Sequence, residues 1–321
     1  MNISVNYSDI NQAKVDFTDL YTSKDPRNYF KYLGQLDYII PHLAQPIFAQ
    51  LIRARQETQA EPVTVLDVGC SYAINGALMK FALDYEAMRQ RYTAPALQGL
   101  SSAEMLAHDR HFYRSWPRHP GVRVIGLDVS ENAVRYAEDA GILDHGLAID
   151  LESRDPTAAE AAILENVDLI VSTGCVGYVT SKTFQRIAKV ARKGREAWAA
   201  NFVLRMFPFD DIDRTLAGQG LVTERYEGAT FVQRRFADRD EMEKAITAVE
   251  ARGLDTDGFE TEGLYHSNLF VSRPPQEAER RPIQELVTVV SGANKLWSVG
   301  TNVLGSYGQA VRQAVRSRQT T

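Results

Sequence analysis

The chain has few of the residues that mark disulfide-stabilised, metal-binding or membrane proteins. Its 321 residues include two cysteines, Cys70 and Cys175, too few and too isolated for a disulfide framework or a thiolate metal cluster. No histidines are paired as in the zinc motif HExxH. No apolar run approaches roughly 18 residues, and the first residues have neither a basic start nor an apolar core. We therefore expect a cytoplasmic protein without a metal.

An excess of either charge is also lacking. The formal net charge is −5, from 36 basic and 41 acidic residues that are interspersed along the chain. Proteins that bind nucleic acids or membrane surfaces usually carry basic patches or runs. The apolar fraction of 44% is ordinary for a globular protein. This balance predicts a small-molecule substrate and argues against nucleic-acid and membrane partners.

Residues 63–76, VTVLDVGCSYAING, combine a β-rich apolar run with a small-residue turn. Apolar residues at helical spacing follow and predict a helix over residues 73–92. The glycine spacing G-x-G-x-x-G of dinucleotide-binding turns is absent, because Ser71 and Ala73 follow Gly69. Asp67 ends the strand, where a carboxylate suits a cationic amine or a hydroxyl better than a phosphate. The segment predicts a nucleotide-like ligand without a pyrophosphate, such as S-adenosylmethionine (SAM).

Further strand-like runs alternate with helical patterns along the chain. They cover residues 122–128, 146–150, 167–173 and 197–205, and strand character returns over residues 221–236 and 264–271. This βαβ alternation predicts a parallel, doubly wound sheet.

Two strand-ending acids, Asp67 and Asp128, in this order of elements resemble the class I SAM-dependent methyltransferases over about residues 46–273. The resemblance implies an α/β fold with a doubly wound seven-stranded sheet in the order 3-2-1-4-5-7-6 and an antiparallel strand 7. Around this Rossmann-like domain we expect an N-terminal helical and aromatic lid, residues 1–45, and a C-terminal extension, residues 274–321. Inside the domain we expect an insertion over residues 93–121 and a cover segment over residues 227–263.

The resemblance also assigns cofactor-binding residues by position. Asp128 would accept hydrogen bonds from both ribose hydroxyls, since a carboxylate has paired acceptors. Val129 would pack on the adenine. The implied SAM contacts, from the methionine end to the floor facing the sulfonium, are Asp67, Gly69, Cys70, Ser71, Asp128, Val129, Asp150, Leu151, Ser172 and Thr173.

The turn STGCVGYV after the fourth strand supplies candidates for the reacting centre. Tyr178 is the first choice, because it can form a hydrogen bond or present its ring face to a sulfonium. Cys175, Ser172 and Asn75 are the further candidates for catalysis. For Cys175, together with Cys70, a small polarisable lining is the alternative to a reactive thiol pair. The turn lacks the Asn-Pro-Pro-Tyr type of sequence found in nucleic-acid enzymes of the family.

The stretch before residue 46 is rich in aromatic residues. Tyr21, Arg27 and Tyr29 are the expected lid contacts, because electron-rich rings attract a sulfonium cation and exclude water. Core packing of an N-terminal helix is an equally open interpretation.

The order of the elements predicts on which side of the sheet the insertion and the cover segment lie. The insertion is expected on the side opposite the ligand, with His108, His111 and His119 structural or on the surface. In the cover segment, Arg234, Arg235 and Glu241 are candidate substrate contacts, with a solvated charged helix as the alternative for most of them.

Three functions follow from the resemblance. The first is a SAM-dependent methyltransferase that acts on a small metabolite by in-line transfer. The second is a SAM cyclase that forms azetidine-2-carboxylate and methylthioadenosine, because CSYAINGAL and STGCVGYV look like turns of a bacterial methyltransferase-like group that includes such synthases. The third is a non-catalytic SAM-binding regulator. Whether the C-terminal extension joins two copies in a homodimer stays open.

Overall fold

The computed structural model describes residue 11, residues 18–191 and residues 196–289. Parts of the predicted lid and C-terminal extension, residues 1–10, 12–17 and 290–321, lie outside the described residues. The strands are β1 (Val63–Val68), β2 (Val122–Asp128), β3 (His145–Ala148), β4 (Leu169–Thr173), β5 (Trp198–Leu204), β6 (Val222–Arg225), β7 (Phe231–Arg235) and β8 (Leu264–Arg273).

The helices lie before, between and after these strands. In chain order they are α1 (Thr18–Tyr21), α2 (Arg27–Gln35), α3 (Ile40–Gln56), α4 (Ile74–Lys80), α5 (Tyr85–Thr93), α6 (Pro95–Gln98), α7 (Ser102–Ser115), α8 (Glu131–Asp139), α9 (Ala158–Leu164), α10 (Ser181–Ala191), α11 (Asp210–Ala217), α12 (Arg239–Glu250), α13 (Pro275–Arg280) and α14 (Ile283–Leu286).

The strands form one sheet in the order β3-β2-β1-β4-β5-β8-β6. Strands β1 to β5 pair in parallel, and β8 is antiparallel to β5. Strands β6 and β7 pair with different halves of β8, so together they occupy the outer edge that one predicted strand was to fill. The predicted fold, strand order and antiparallel strand are confirmed.

The sheet has an apolar core on each face, as expected for a doubly wound fold. All six residues of β1 are buried. Val63 and Val65 pack on the same face as helix α3, whereas Leu66 and Val68 pack on the opposite face. This alternation explains why β1 reads as a continuous apolar run with a carboxylate near its end.

The first helix after β1 is shorter than predicted. Helix α4 ends at Lys80, and Asp84 caps a second helix, α5, by accepting a hydrogen bond from the Ala87 amide at 2.7 Å. Helix α5 brings Tyr92 to the lid, where its ring stacks on Phe30 with centroids 4.7 Å apart.

The insertion was predicted to lie on the side of the sheet opposite the ligand, and this prediction is wrong in part. The break between α4 and α5 redirects the chain, and residues 97–102 contact the lid. The three histidines of the insertion are exposed: His108, His111 and His119. None of them lines the cavity at the carboxyl ends of the strands, which is described below.

Candidate functional site

The turn after β1 has three residues with positive φ, and only one of them is a glycine. Gly69, Ser71 and Ala73 have positive φ values of 68°, 48° and 54°. A left-handed conformation is costly for residues with a Cβ atom, so Ser71 and Ala73 store strain in this turn. A Cβ atom on Gly69 would lie 2.6 Å from the Cys175 Cβ atom, so the turn after β4 packs directly on this glycine.

A cavity of about 360 Å³ lies at the carboxyl ends of β1, β2 and β4. Ligands of open α/β sheets bind at this edge. Most predicted site residues line this cavity: Tyr21, Tyr29, Gly69, Cys70, Ser71, Asn75, Asp128, Val129, Asp150, Leu151, Thr173, Cys175 and Tyr178. The turn residues of three separate strands thus meet around one space.

Asp67 does not line the cavity and lies behind the residues that do. Asn75 Nδ2 donates to Asp67 Oδ1 at 3.4 Å and to Thr173 Oγ1 at 3.0 Å, so Asn75 stands between the acid and the cavity. Complete burial raises the pKa of the Asp67 carboxyl to about 7. Asp67, which the sequence places at the ligand, therefore does not line the cavity.

Two buried oxygen atoms on the cavity wall beside Asp67 have no hydrogen-bond partner within the described part of the chain. They are Ser71 Oγ and Asn75 Oδ1. Unpaired buried polar groups are costly and ask for an explanation. Oxygen atoms that can accept, gathered at one end of a cavity, favour a ligand with N–H or O–H donors there.

Asp128 sits at the end of β2 and is held by backbone amides. Its Oδ2 atom accepts from the Ser71 amide and its Oδ1 atom from the Ser130 amide, each at 2.9 Å. Burial is the main cause that raises the pKa of this carboxyl. The Val129 amide also acts on this carboxylate and lowers that pKa. A carboxylate has about four lone pairs in all, so Asp128 can still accept from a ligand. Beside it, Val129 is 71% exposed, an apolar side chain with nothing packed on most of its surface.

Two predicted site residues lie away from the cavity. Ser172 is fully buried, and its hydroxyl donates to Asn201 Oδ1 at 2.7 Å, because it points to the other side of the sheet. The Arg27 guanidinium binds Asp25 in a bidentate pair and donates to the carbonyl oxygens of Leu97 and Leu100. Arg27 therefore fastens the lid to the insertion and does not contact the cavity.

Tyrosine rings close the cavity on the lid side. Tyr29 makes edge contacts with the rings of Tyr21, Tyr38 and Tyr72 at centroid distances of 6.0, 5.9 and 6.2 Å. Burial raises the pKa of Tyr21, Tyr29 and Tyr38 far above the ordinary tyrosine value. These phenols stay protonated near neutral pH and cannot serve as bases. The same rings pack against one another and line the cavity, so the two interpretations of these residues, lid contacts and core packing, are compatible.

The cover segment contributes a residue that the sequence analysis missed. Gln233 of β7 lines the cavity and is 5% exposed. Of the three charged candidates there, Arg234 lines the cavity and forms a buried bidentate pair with Glu241. Arg235 pairs with Asp37 at 2.5 Å instead. The alternation of residues in the predicted strand could not show that Gln233 lines the cavity, because this depends on the turn after β4, which is distant in the sequence.

Glu152 and Thr183 are also cavity residues that the sequence analysis missed. Both carboxylate oxygens of Glu152 accept hydrogen bonds, from the hydroxyls of Thr180 and Thr183 at 2.6 and 2.7 Å. They fix the loop that follows β4. No group of His, Cys, Asp and Glu residues suited to a metal ion occurs among the described residues. No helix in the described ranges is long and apolar enough to span a membrane.

The strand order and the position of the cavity decide the fold type. The fold is that of the class I methyltransferases. No protein-family model and no curated protein sequence matches the chain.

The solved structures to which the chain is similar include several methyltransferases. A TehB-like SAM-dependent methyltransferase from Corynebacterium glutamicum is 14% identical, with a TM-score of 0.34 over 69% of this chain and 86% of that one. The plantazolicin methyltransferase BamL, bound to a desmethyl-plantazolicin analogue and S-adenosylhomocysteine (SAH), is 12% identical, with a TM-score of 0.40 over 84% and 96%. Magnesium protoporphyrin IX methyltransferase from Synechocystis, with bound SAH, is 12% identical, with a TM-score of 0.39 over 84% and 100%.

Proposed function

We propose that the chain is a SAM-dependent methyltransferase that acts on a small metabolite. The arrangement of acceptor oxygens around the cavity carries this proposal. At one end, Ser71 Oγ and Asn75 Oδ1 lack partners among the described residues, and Asp67 lies behind them. An ammonium group has three donors for such oxygens.

The other end of the cavity suits a nucleoside. Asp128 can still accept from ribose hydroxyls, and the exposed Val129 offers an apolar surface to a base. An ammonium, a diol and an adenine at these positions are the parts of SAM. The predicted set from Gly69 to Thr173 thus fits the cofactor, with Asp67 acting through its charge and Ser172 left out.

When bound, SAM supplies a methyl carbon already activated by its sulfonium. The residues of the chain then have to hold the acceptor in line with that carbon and keep water out. Tyr21 and Tyr29 can present ring faces to the positive charge. Tyr178 is 56% exposed and stands on the cavity wall near Cys175, where an acceptor could approach. Burial raises the pKa of Cys70, which favours a thiol lining over a reactive thiolate.

One observation favours SAM cyclisation as a second candidate. Asp67, with its pKa near 7, lies behind the proposed ammonium end. Near neutral pH this carboxyl is only partly ionised, so it stabilises the ammonium incompletely, and an ammonium that gives its proton to water becomes a free amine that can attack the γ-carbon. The new N–Cγ bond forms as the Cγ–S bond breaks, and sulfur leaves with the electron pair as methylthioadenosine.

A single incubation series separates the candidates. The purified chain is incubated with SAM alone and with SAM plus a metabolite extract, and products are identified by mass spectrometry against heat-inactivated protein. SAH that forms only with the extract supports the methyltransferase. Methylthioadenosine and azetidine-2-carboxylate from SAM alone would replace it with the cyclase. Tight binding without either product would favour the regulator, and no SAM binding would refute all three.

The remaining expectations belong to the same proposal. A small-molecule substrate needs neither a nucleic-acid surface nor a membrane contact, and the near balance of charges agrees with this. The division into a lid, a SAM-binding domain and a C-terminal extension, the cytoplasmic location and a homodimer also remain proposals.

A further inference from the structure

Gln233 reaches across the cavity to the turn after β4. A Cβ atom on Gly174 would lie 2.0 Å from Gln233 Nε2, so the side-chain amide rests directly on this glycine. Gly174 also has a φ of +75°, which a residue with a side chain adopts only with strain. The turn thus leaves space for this one amide, beside Thr173 and Cys175 of the cavity wall.

Gln233 is held through its backbone, and its side-chain amide has unused hydrogen-bonding capacity. Its backbone carbonyl accepts from the Ile39 amide at 2.8 Å, which ties β7 to the start of α3. Its side-chain Oε1 atom is buried without a partner within the described ranges. A buried amide oxygen without a partner is unfavourable, and a ligand that donates to it removes that cost.

The charged groups next to Gln233 are already neutralised. Arg234 donates to both oxygens of Glu241 at 2.9 and 2.6 Å and lies over the Tyr265 ring. Glu241 Oε2 also accepts from the Ala237 amide at 2.7 Å. A further N–H of Arg234 donates to the Arg235 carbonyl at 2.8 Å. Because Glu241 already offsets its charge, this guanidinium attracts an anionic ligand less than an unpaired arginine would.

The other charged groups on the cavity wall are carboxylates. They are Asp128, Asp150 and Glu152, and they repel a negatively charged ligand. On the lid side, the cavity is lined by Tyr21, Tyr29 and Tyr38, whose phenols stay neutral. Among the described residues, the part of the cavity near Gln233 therefore offers aromatic surface and a neutral amide, and its one cation, Arg234, is paired with Glu241.

We propose that Gln233 binds and orients the methyl acceptor, and that the acceptor is an uncharged compound that donates an N–H or O–H to Gln233 Oε1. This proposal rests on the methyltransferase function above. It excludes carboxylates and phosphates as the part of the acceptor that lies next to Gln233. Gln233 is then a positioning residue on the cover segment, separate from the residues that hold SAM.

The test uses the full chain saturated with SAH and two probes of similar shape, phenol and benzoate. Calorimetry first measures SAH binding, and NMR titration then measures binding of each probe to the SAH complex. We expect phenol to bind and benzoate to bind at least tenfold more weakly. Gln233→Met should weaken phenol binding by about three- to tenfold, which corresponds to one lost hydrogen bond. SAH affinity should change less than twofold.

Two further variants make the result specific. Gln284→Met removes an exposed glutamine amide outside the cavity and should change neither affinity. Gln233→Asn keeps the amide but withdraws it by one methylene, and should weaken phenol binding while SAH binding shows that the protein is folded.

The outcomes separate the two proposals. If the wild-type chain does not bind SAH, the proposed function fails and the acceptor site fails with it. If SAH binds but phenol does not, or benzoate binds as tightly as phenol, only the Gln233 proposal is overturned. Equal phenol affinity in Gln233→Met and the wild type overturns it too. A Gln233 variant that remains folded but loses SAH binding assigns this residue to the cofactor instead.

Discussion

Asp67→Asn should stabilise the ligand-free protein at alkaline pH. Burial raises the pKa of the Asp67 carboxyl from an ordinary 3.8 to about 7. At about 1.4 kcal/mol per pH unit, this difference corresponds to about 4 kcal/mol of folding free energy. Because the pKa is higher in the folded state, the favourable contribution is present below pH 4 and is lost as the pH rises through 7.

The variant removes this cost of ionisation. Asn at position 67 can still accept the hydrogen bond from Asn75, since Asp67 Oδ1 is the accepting atom now. We expect wild type and Asp67→Asn to be similarly stable near pH 4. Near pH 8.5 the variant should be more stable by up to about 4 kcal/mol, less the cost of one unpaired amide.

Urea unfolding of both proteins from pH 4 to pH 9, without SAM, measures this difference. Glu61→Gln removes one exposed carboxylate and should leave the pH profile unchanged. SAM binding should respond in the opposite direction, since Asp67→Asn removes the charge behind the ammonium position. A stability difference that does not grow with pH would refute the raised pKa and the reasoning about burial.

Three further predictions follow from the site and the lid. Asp128→Ala should weaken SAM binding by about 1–3 kcal/mol in calorimetry, because the ribose hydroxyls lose their acceptor; unchanged affinity would mean that the second acid is misassigned. Gly174→Ala should destabilise the protein more than Gly141→Ala in urea unfolding, because both have positive φ but a Cβ atom meets Gln233 only at Gly174; equal losses would contradict that contact. Arg27→Ala should speed amide hydrogen exchange in residues 18–35, because it removes the bonds to Asp25, Leu97 and Leu100; exchange as slow as in the wild type would argue against this attachment.

The sheet could be predicted because each of its central strands is recognisable from its own sequence. Burial on both faces makes β1, β4 and β5 continuous apolar runs, and helices between them require parallel pairing. The turn residues of the site followed from the same pattern, because the carboxyl ends of parallel strands share one edge of the sheet. Asp128 and Val129, which the resemblance assigns to the ribose and the adenine, lie at this edge and line the cavity.

The errors came from contacts between distant parts of the chain. Tyr85 and Met88 continue the apolar spacing past Lys80, so periodicity could not reveal the break before Asp84, although an Asp at that point is a typical helix cap. The prediction for Arg27 missed its bonds to the Leu97 and Leu100 carbonyl groups, because these lie some seventy residues away in the sequence. The importance of Gln233 depends on Gly174, which is also distant in sequence.

The divided outer edge of the sheet gives this fold a way to vary its specificity. A continuous strand passes a one-residue slip along its whole length and turns every side chain to the other face. Here residues 226–230 interrupt the edge, and the pairing of β7 with β8 is itself irregular between Val232 and Arg235. Insertions or deletions in β7 can be absorbed there while β6 keeps its register. The wall that carries Gln233 can therefore be exchanged by evolution or by design without rebuilding the sheet.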